Sequence, residues 1–476
     1  MLTEDKLESR RVRLFPSHNI HSEREAELRA AASFLAVAKA VSEFGRRIVS
    51  MAGGPAGKLE CYTEVPFPCE MNGARKELRP DGLLRVRRGK TEWKALVEVK
   101  VGAQVLDQAQ IDQYHTVASD EGIDALITVS NEAALASGLP PHVTIDGRRA
   151  RRVPVIHLSW DRLLSEAQML SSKQEVSDAD QHWMLDEWIL YVTDEGSRII
   201  EAPQLGAHWG DVMRAAQAGG LRSCTLQMED VVRCWDAYLR KFGFRLRAKL
   251  GVDVGQRLSR EEKADPAVRF KRLCATAVDQ GVLQGVLQIP GAAGDVAVDV
   301  ILAASSVRYS VEIDAPTEGR PRTRVSWLLR QLERDSAASG DLTVKVNWQY
   351  KKYRTQASLR DALADSGRLF VDAAGLSVPT DALPKSFTLE RASRLPKGKG
   401  RSSAPILEGA SKGFEAFYRD VVAKLKPYIA PAPQMPDDMA KTLAAHTVAV
   451  SSPPPVEPEK LPSPEVDASK EPSPAS

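Results

Sequence analysis

The sequence predicts an α/β (α+β) fold in which a mixed sheet is flanked by helices, followed by a second α/β domain. In the first third of the chain, a helix precedes three strand-like segments, a second helix and another strand. This order is typical of layered α/β structures. A fainter version of it recurs between residues 231 and 348. The sequence therefore predicts two layered domains in succession.

The first domain is predicted over residues 1–170. Ser22 and Glu25 have the spacing of a capping box, which indicates that a long helix begins there. Apolar residues recur at helical spacing along this first helix, and a second helix is predicted over residues 104–119. The strand-like segments of this domain are KLECYTEVPF, RPDGLLRVRR, TEWKALVEVKV, DALITVSN and RRVPVIHLSW, the last leading into the helix WDRLLSEAQML.

The second α/β domain is predicted over residues 171–394. Helices around residues 231–249 and 268–280 precede three strand-like segments, then a helix and another strand. The segments are GVLQGVLQIP, DVAVDVILAA, VRYSVEID, RVSWLLRQLER and DLTVKVNW. We interpret this domain as a candidate diverged copy of the first, although the two halves share too little identity to define a repeat.

The rest of the chain is predicted to be less regular. Residues 395–430 contain a basic linker, LPKGKGRSSAPI, and a helix that we expect to pack on the preceding domain. Residues 431–476 are rich in Pro, Ser and Glu, a composition that cannot bury enough apolar surface to fold. We expect this segment to be a disordered tail that can bind a protein partner.

Composition excludes several classes of protein. No apolar run approaches the ~20 residues needed to cross a bilayer, so no membrane association is expected. The N-terminus lacks the apolar core of a signal peptide, and the five cysteines form no Cys-x-x-Cys pair. These features predict a cytoplasmic protein without a structural zinc site. The net charge of +2 neither requires nor excludes a nucleic-acid partner.

The segments RPDGLLRVRR and TEWKALVEVK are predicted to form a hairpin that carries the chemistry. A two-residue turn at Gly89-Lys90 places Arg88 opposite Thr91. Counting outward in this register brings Asp81 opposite Glu98, with the two side chains on one face of the sheet. Lys100 shares that face because strand side chains alternate. The predicted strand begins at Pro80.

Two carboxylates and an ammonium group at such a site suit metal-dependent hydrolysis of a phosphodiester. Like charges about 5 Å apart repel, and a divalent cation relieves that repulsion. Carboxylate oxygens favour Mg²⁺ or Mn²⁺. Such an ion polarises a phosphate and acidifies its bound water. Lys100 could orient that water or stabilise charge on the phosphate.

The motif Pro80-Asp81 with Glu98-Val99-Lys100, in this order of elements, resembles the PD-(D/E)XK nuclease superfamily. The segment LVEVKV is similar to the third core strand of archaeal Holliday-junction resolvases. The resemblance covers about 110 residues and implies a restriction-endonuclease-like three-layer core. It also implies catalytic roles for Asp81, Glu98 and Lys100, with Asp81 and Glu98 as metal ligands. A glutamate of the first helix would complete the metal site: Glu23 is the candidate, with Glu25 and Glu27 as alternatives.

Gln110 and Tyr114 resemble the Gln-x-x-x-Tyr motif of RecB-like nucleases. Residues four apart share a helix face, so both could point toward the site. A polar edge and a packed aromatic ring are equally good interpretations of this pair. Glu64 is interpreted as an ordinary surface charge.

Two basic clusters are candidates for contacts with nucleic-acid phosphates, and solvated turns are an equally good interpretation of each. The first lies around the hairpin turn and consists of Arg85, Arg87, Arg88 and Lys90. The second is a run before a strand and consists of Arg148, Arg149, Arg151 and Arg152.

In the second domain, Asp299, Glu312 and Asp314 correspond in pattern to Asp81, Glu98 and Lys100. An aspartate therefore stands where the lysine is expected, which predicts a copy without catalysis.

Together these patterns predict a nuclease that acts on DNA, with RNA not excluded, in repair, recombination or defence. A homodimer would be consistent with cutting both strands of a duplex. The rival hypothesis is a non-catalytic scaffold of nuclease-like fold that binds nucleic acid or protein.

Overall fold

The computed structural model describes residues 12–71, 74–133, 138, 140, 143–332, 341–350, 353–396 and 403–429. The predicted tail at 431–476 and much of the predicted linker lie outside these residues. The described residues as far as Tyr428 form one compact unit. It contains two large sheets with separate hydrophobic cores, and we call the regions around them the first lobe (residues 12–200) and the second lobe (residues 201–428). The mixed helix and strand content confirms the predicted α/β class.

The helices of the first lobe are α1 Glu23–Ala40, α2 Ser42–Met51, α3 Gln108–Asp120, α4 Gly147–Arg152, α5 Trp160–Ser172 and α6 Ala179–Thr193. Its strands are β1 Lys58–Thr63, β2 Phe67–Met71, β3 Ala74–Leu78, β4 Gly82–Arg88, β5 Thr91–Val99, β6 Ala125–Ser130 and β7 Val155–Ser159. The short hairpin of β2 and β3 is separate from the main sheet and was not predicted.

The single long helix predicted at the N-terminus is two helices. Ser22 caps α1 as predicted, since its side chain accepts a hydrogen bond from the Glu25 N–H. The chain then becomes extended at Val41, with φ −93° and ψ 99°. Gly45 of α2 lies so close to the last turn of α1 that a Cβ atom on it would be 2.1 Å from the Ala38 carbonyl oxygen. This close approach requires glycine and explains why α2 can fold back against α1.

The first sheet has the strand order β1-β4-β5-β6-β7. The β1/β4 and β4/β5 pairs are antiparallel, while β5/β6 and β6/β7 are parallel. One face packs against α1, α2, α5 and α6, and the other packs against α3. The lobe therefore has three layers, with a mixed sheet between helices.

The helices of the second lobe are α7 Trp209–Gln217, α8 Thr225–Leu250, α9 Arg260–Ala264, α10 Pro266–Gln280, α11 Pro321–Leu332, α12 Leu359–Ala364 and α13 Ala404–Asp420. Its strands are β8 Gly255–Gln256, β9 Val282–Leu283, β10 Val286–Gln288, β11 Val296–Ile301, β12 Ser306–Asp314, β13 Leu342–Trp348, β14 Arg354–Ser358 and β15 Pro384–Arg394. None of the described helices is long and apolar enough to cross a membrane.

The second sheet differs from the first in topology. Its order is β14-β13-β15-β12-β11-β10-β8, with β9 beside β11, and its described pairs are antiparallel. The late strand β15 separates β12 from β13, whereas the corresponding strands β5 and β6 of the first lobe pair directly. The two lobes therefore share the order hairpin, helix and strand along the chain, but the strands have a different order in each sheet.

The boundaries of the two cores differ from those predicted. Leu185, Trp188 and Ile199 are buried in the first core, which therefore extends beyond the predicted boundary at residue 170. Phe414 and Phe417 of α13 are buried in the second core, as predicted for that helix. Helix packing explains the first difference, because α6 lies against α1 and not against the second sheet.

Candidate active site

The β4–β5 hairpin has the predicted register. Arg88 pairs with Thr91 and Gly82 pairs with Val97, and Gly89 adopts φ 62° in the turn. Pairing ends at Gly82, so the prediction that the strand begins at Pro80 is wrong: Asp81 lies one residue before β4. Continuation of the register still places Asp81 beside the end of β5.

Asp81 is attached to that end of β5 through its own side chain. Its Oδ2 accepts a hydrogen bond from the Val99 N–H at 2.7 Å. Gly82 lets helix α1 approach here, since a Cβ atom on Gly82 would lie 2.6 Å from the Leu35 Cδ1. Burial, followed by the nearby Glu98 carboxylate, raises the pKa of Asp81 to about 7.

Glu98 lies beneath helix α3 and is 1% exposed. Val97 and Val99 on either side of it point into the core with α1, so strand alternation directs Glu98 to the α3 face. Burial raises the pKa of Glu98, although the Lys100 ammonium group beside it acts in the opposite direction. A carboxylate in so little solvent requires partners.

Gln110 and Tyr114 of α3 are two of those partners. The Gln110 Nε2 donates to Glu98 Oε1 at 2.7 Å and lies 3.1 Å from the Tyr114 hydroxyl. Tyr114 is 4% exposed, and its hydroxyl group helps to lower the pKa of the neighbouring Glu98. Burial and the Glu98 charge raise the pKa of Tyr114. The two residues therefore share the helix face predicted from their spacing, and this face points toward Glu98.

Lys100 connects the sheet to helix α1. Its Nζ lies 2.9 Å from Glu98 Oε1 and 3.6 Å from Glu27 Oε1. Burial by itself lowers the pKa of Lys100, but the carboxylates of Glu98, Glu27 and Asp81 together outweigh it, and the pKa is raised. Lys100 is therefore positively charged at neutral pH.

Among the α1 glutamates, Glu27 is the one that contacts Lys100. Burial raises the pKa of Glu27. Glu23 is exposed and accepts a hydrogen bond from Gln104 Nε2 at 2.9 Å, so the structure favours the alternative Glu27 over Glu23 as the helix acid. Glu25 hydrogen-bonds to the backbone N–H of His21 at the helix start. The signal in the sequence was helical phase, because Glu27 lies three and four residues before Ala30 and Ala31, both of which are buried.

Glu64 was missed as a neighbour of the site. Its N–H donates to the Asp81 carbonyl at 3.4 Å, and its charge contributes to the raised pKa of Asp81. Glu64 adopts φ 47°, a conformation rare for residues other than glycine and often found near functional sites. No motif indicated this position in the sequence.

The site has an excess of negative charge. Asp81, Glu98 and Glu27 surround one lysine, Glu64 lies beside Asp81, and the buried Glu98 Oε2 has no hydrogen-bond partner. Within the described residues, no group of three or more His, Cys, Asp or Glu side chains is arranged to hold a metal ion. Mg²⁺, however, commonly binds through one or two carboxylates and keeps several waters. The unpartnered Glu98 Oε2 and the repulsion between the carboxylates fit such an ion.

The basic cluster around the hairpin turn is placed unfavourably for the site. Arg85 and Arg87 both form ion pairs with Glu60 of β1. Hydrogen bonds from these two arginines lower the pKa of Glu60 to about 2. Arg88 and Lys90 are exposed, but the turn lies seven residues from Asp81, about 24 Å along a strand. Arg85 and Arg87 therefore pair with Glu60, whereas Arg88 and Lys90 lie far from Glu98.

The second lobe contains a related hairpin in a different register from the one its sequence suggested. Asp299 lies opposite Arg308 and forms an ion pair with it at 2.9 Å, so its assignment as the counterpart of Asp81 is wrong. The pair Val296–Val311 places Asp295 opposite Glu312. The same number of residues separates Asp295 from Glu312 as separates Asp81 from Glu98.

Both acids of this second hairpin have side-chain partners within the protein. Asp295 forms an ion pair with Arg257, and Glu312 accepts hydrogen bonds from Ser386 and Asn347. Asp314 stands two residues after Glu312, where the first lobe has Lys100. The arrangement of an acid pair with a lysine is therefore found in the first lobe and not in this hairpin.

Comparison of the chain with protein-family models, with curated proteins and with solved structures finds no match.

Proposed function

We propose that the first lobe is a metal-dependent nuclease that hydrolyses phosphodiester bonds in DNA. The observation that carries the proposal is the convergence of Asp81, Glu98 and Lys100 at one end of the β4–β5 hairpin, with Gln110 and Tyr114 beside them. Burial of the Glu98 carboxylate costs free energy, whereas a strand with an ordinary solvated face would leave such a group in water.

Asp81 and Glu98 would hold a Mg²⁺ or Mn²⁺ ion, with Glu27 as the nearest further acid. When bound, the ion would polarise the phosphate and lower the pKa of its water. Lys100, charged and 2.9 Å from Glu98, could donate a hydrogen bond to the attacking water or to a phosphate oxygen. Gln110 and Tyr114 fix the Glu98 side chain. Burial beneath α3 keeps that carboxylate away from bulk water.

A non-catalytic scaffold that binds nucleic acid or protein is the second candidate. It is favoured by the absence of a preformed group of three metal-ligating side chains within the described residues. The ion pairs of Lys100 with Glu98 and Glu27 also neutralise part of the acidic charge without a metal. In this interpretation Lys100 has a structural role.

Cleavage assays with labelled single-stranded, double-stranded and branched DNA, in Mg²⁺, Mn²⁺ or EDTA, distinguish the two candidates. We expect metal-dependent cleavage by the wild type and its loss in Lys100→Ala. Lys345→Ala is a matched control, because Lys345 also forms an ion pair with a glutamate of a neighbouring strand, Glu390, at 2.7 Å. Circular dichroism would check the folding of both variants.

Three outcomes of these assays are informative. Cleavage that is lost in Lys100→Ala and retained in Lys345→Ala supports the nuclease. Absence of cleavage on every substrate and with both metals favours the scaffold. Equal cleavage by wild type and Lys100→Ala would contradict the assignment of the site.

A further inference from the structure

Helix α4 carries the other basic cluster of the first lobe, Arg148, Arg149, Arg151 and Arg152. All four arginines are exposed. Positions 148, 151 and 152 share one face of the helix because residues three and four apart are neighbours. Of the four, Arg149 has a described ion pair, to Asp112 at 3.2 Å. This cluster therefore differs from Arg85 and Arg87, which share an ion pair with Glu60.

The segment bearing α4 is attached to α3 mainly through its backbone. The Gln108 side chain makes two hydrogen bonds to Thr144, donating to its carbonyl at 3.0 Å and accepting from its N–H at 2.8 Å. The His115 Nε2 lies 2.9 Å from the Val153 carbonyl. The Arg151 and Arg152 side chains donate to the Gly147 and Ser119 carbonyls, and both side chains nevertheless remain exposed to solvent.

The same helix α3 carries the partners of Glu98. Gln110 contacts Glu98, and Asp112, two residues later, contacts Arg149. The Arg152 side chain donates to the Ser119 carbonyl at 3.2 Å, and Ser119 lies nine residues after Gln110, about 14 Å along the axis of α3 at a rise of 1.5 Å per residue. A DNA duplex is wide enough to cover both positions at once, whereas a single strand would have to curve around α3.

From this arrangement we propose that Arg148, Arg151 and Arg152 of α4 bind the phosphate backbone of double-stranded DNA beside the candidate active site. The proposal rests on the nuclease function proposed above and adds the duplex as its substrate. The acidic site repels phosphates, and an adjacent basic surface offsets that repulsion. Contacts with phosphates from arginine position a duplex without reading its sequence. The surface is therefore expected to bind independently of sequence.

Fluorescence anisotropy with a labelled 30-base-pair duplex and with one of its strands tests the proposal, using the full chain in EDTA so that no cleavage occurs. The test variant replaces Arg148, Arg151 and Arg152 by glutamine. The control variant replaces Arg46, Arg214 and Arg222 by glutamine, which removes the same charge from side chains that are 62%, 78% and 85% exposed elsewhere. Circular dichroism would check that both variants fold.

We expect the α4 variant to bind duplex at least tenfold more weakly at moderate salt. The slope of log affinity against log salt should fall by about 2 to 3, since each lost phosphate contact removes about 0.9. The control variant should bind like the wild type. An equal loss in both variants would show that only net charge matters and would overturn the proposal. An equal loss for duplex and single strand would overturn the assignment of a duplex.

The outcome for the surface can be separated from the outcome for the nuclease. A wild type that cleaves DNA while the α4 variant binds normally would contradict the surface and leave the nuclease supported. A wild type that binds duplex through α4 without cleaving would support the surface and contradict the nuclease. Absence of duplex binding by the wild type would overturn the surface.

Discussion

Replacement of Lys100 by methionine tests the ion pairs that hold the candidate site together. The change keeps most of the aliphatic volume and removes the charge that lies 2.9 Å from Glu98 and 3.6 Å from Glu27. At an effective dielectric of 20, these distances correspond to about 6 and about 5 kcal/mol of Coulomb attraction. Loss of the cost of burying the ammonium group offsets much of this. We expect a net loss of about 3 kcal/mol in the free energy of unfolding, the lower end for a broken buried pair.

Urea denaturation in EDTA, followed by circular dichroism, measures this loss for Lys100→Met, Glu98→Gln and the double variant. The Glu98→Gln change also removes repulsion from Asp81, so we expect it to cost about 1 kcal/mol. The coupling energy from the cycle should be about 2 kcal/mol. The same cycle on Lys345 and Glu390, whose side chains are 34% and 20% exposed, should give under about 1 kcal/mol.

A coupling energy for Lys100 and Glu98 no larger than that for Lys345 and Glu390 would refute the reasoning. It would mean that the Lys100 side chain does not contact Glu98 in solution, and the convergence that carries the proposed function would be lost.

Two further predictions concern other buried titratable residues of the first lobe. His157 bonds to Thr128 and to the Glu132 carbonyl, and burial lowers its pKa to about 4. Between pH 6.5 and 4 the unfolded chain therefore binds more protons than the folded protein. The free energy of unfolding should fall by about 3 kcal/mol as the pH is lowered through this range. Urea titrations should show a flatter pH profile for His157→Gln. Glu166→Gln should lower the unfolding free energy by about 3 kcal/mol. Glu166 is buried and pairs with Arg47, Arg162 and Arg247. Glu175 also pairs with Arg47, but its side chain is 40% exposed, so Glu175→Gln should lower the unfolding free energy by under about 1 kcal/mol. Similar costs for both glutamate variants, or an unchanged pH profile for His157→Gln, would contradict these assignments.

The sequence by itself determined the local geometry of the site. The Gly89-Lys90 turn fixed the register of β4 and β5, and alternation along β5 then placed Glu98 and Lys100 relative to each other. Helical spacing placed Gln110 and Tyr114 on one face. These relations depend on neighbours in the chain and on fixed repeats of two and 3.6 residues, so they can be predicted without a structure.

Contacts between distant segments were decided only by the tertiary structure. The choice of Glu27 over Glu23 depends on how α1 crosses the end of β5, and the neutralisation of Arg85 and Arg87 depends on β1 pairing with β4. Likewise, β15 enters the second sheet between β12 and β13, strands that precede it by many residues. Such contacts result from packing of whole elements, and the pattern within one segment does not specify which other segment will lie beside it.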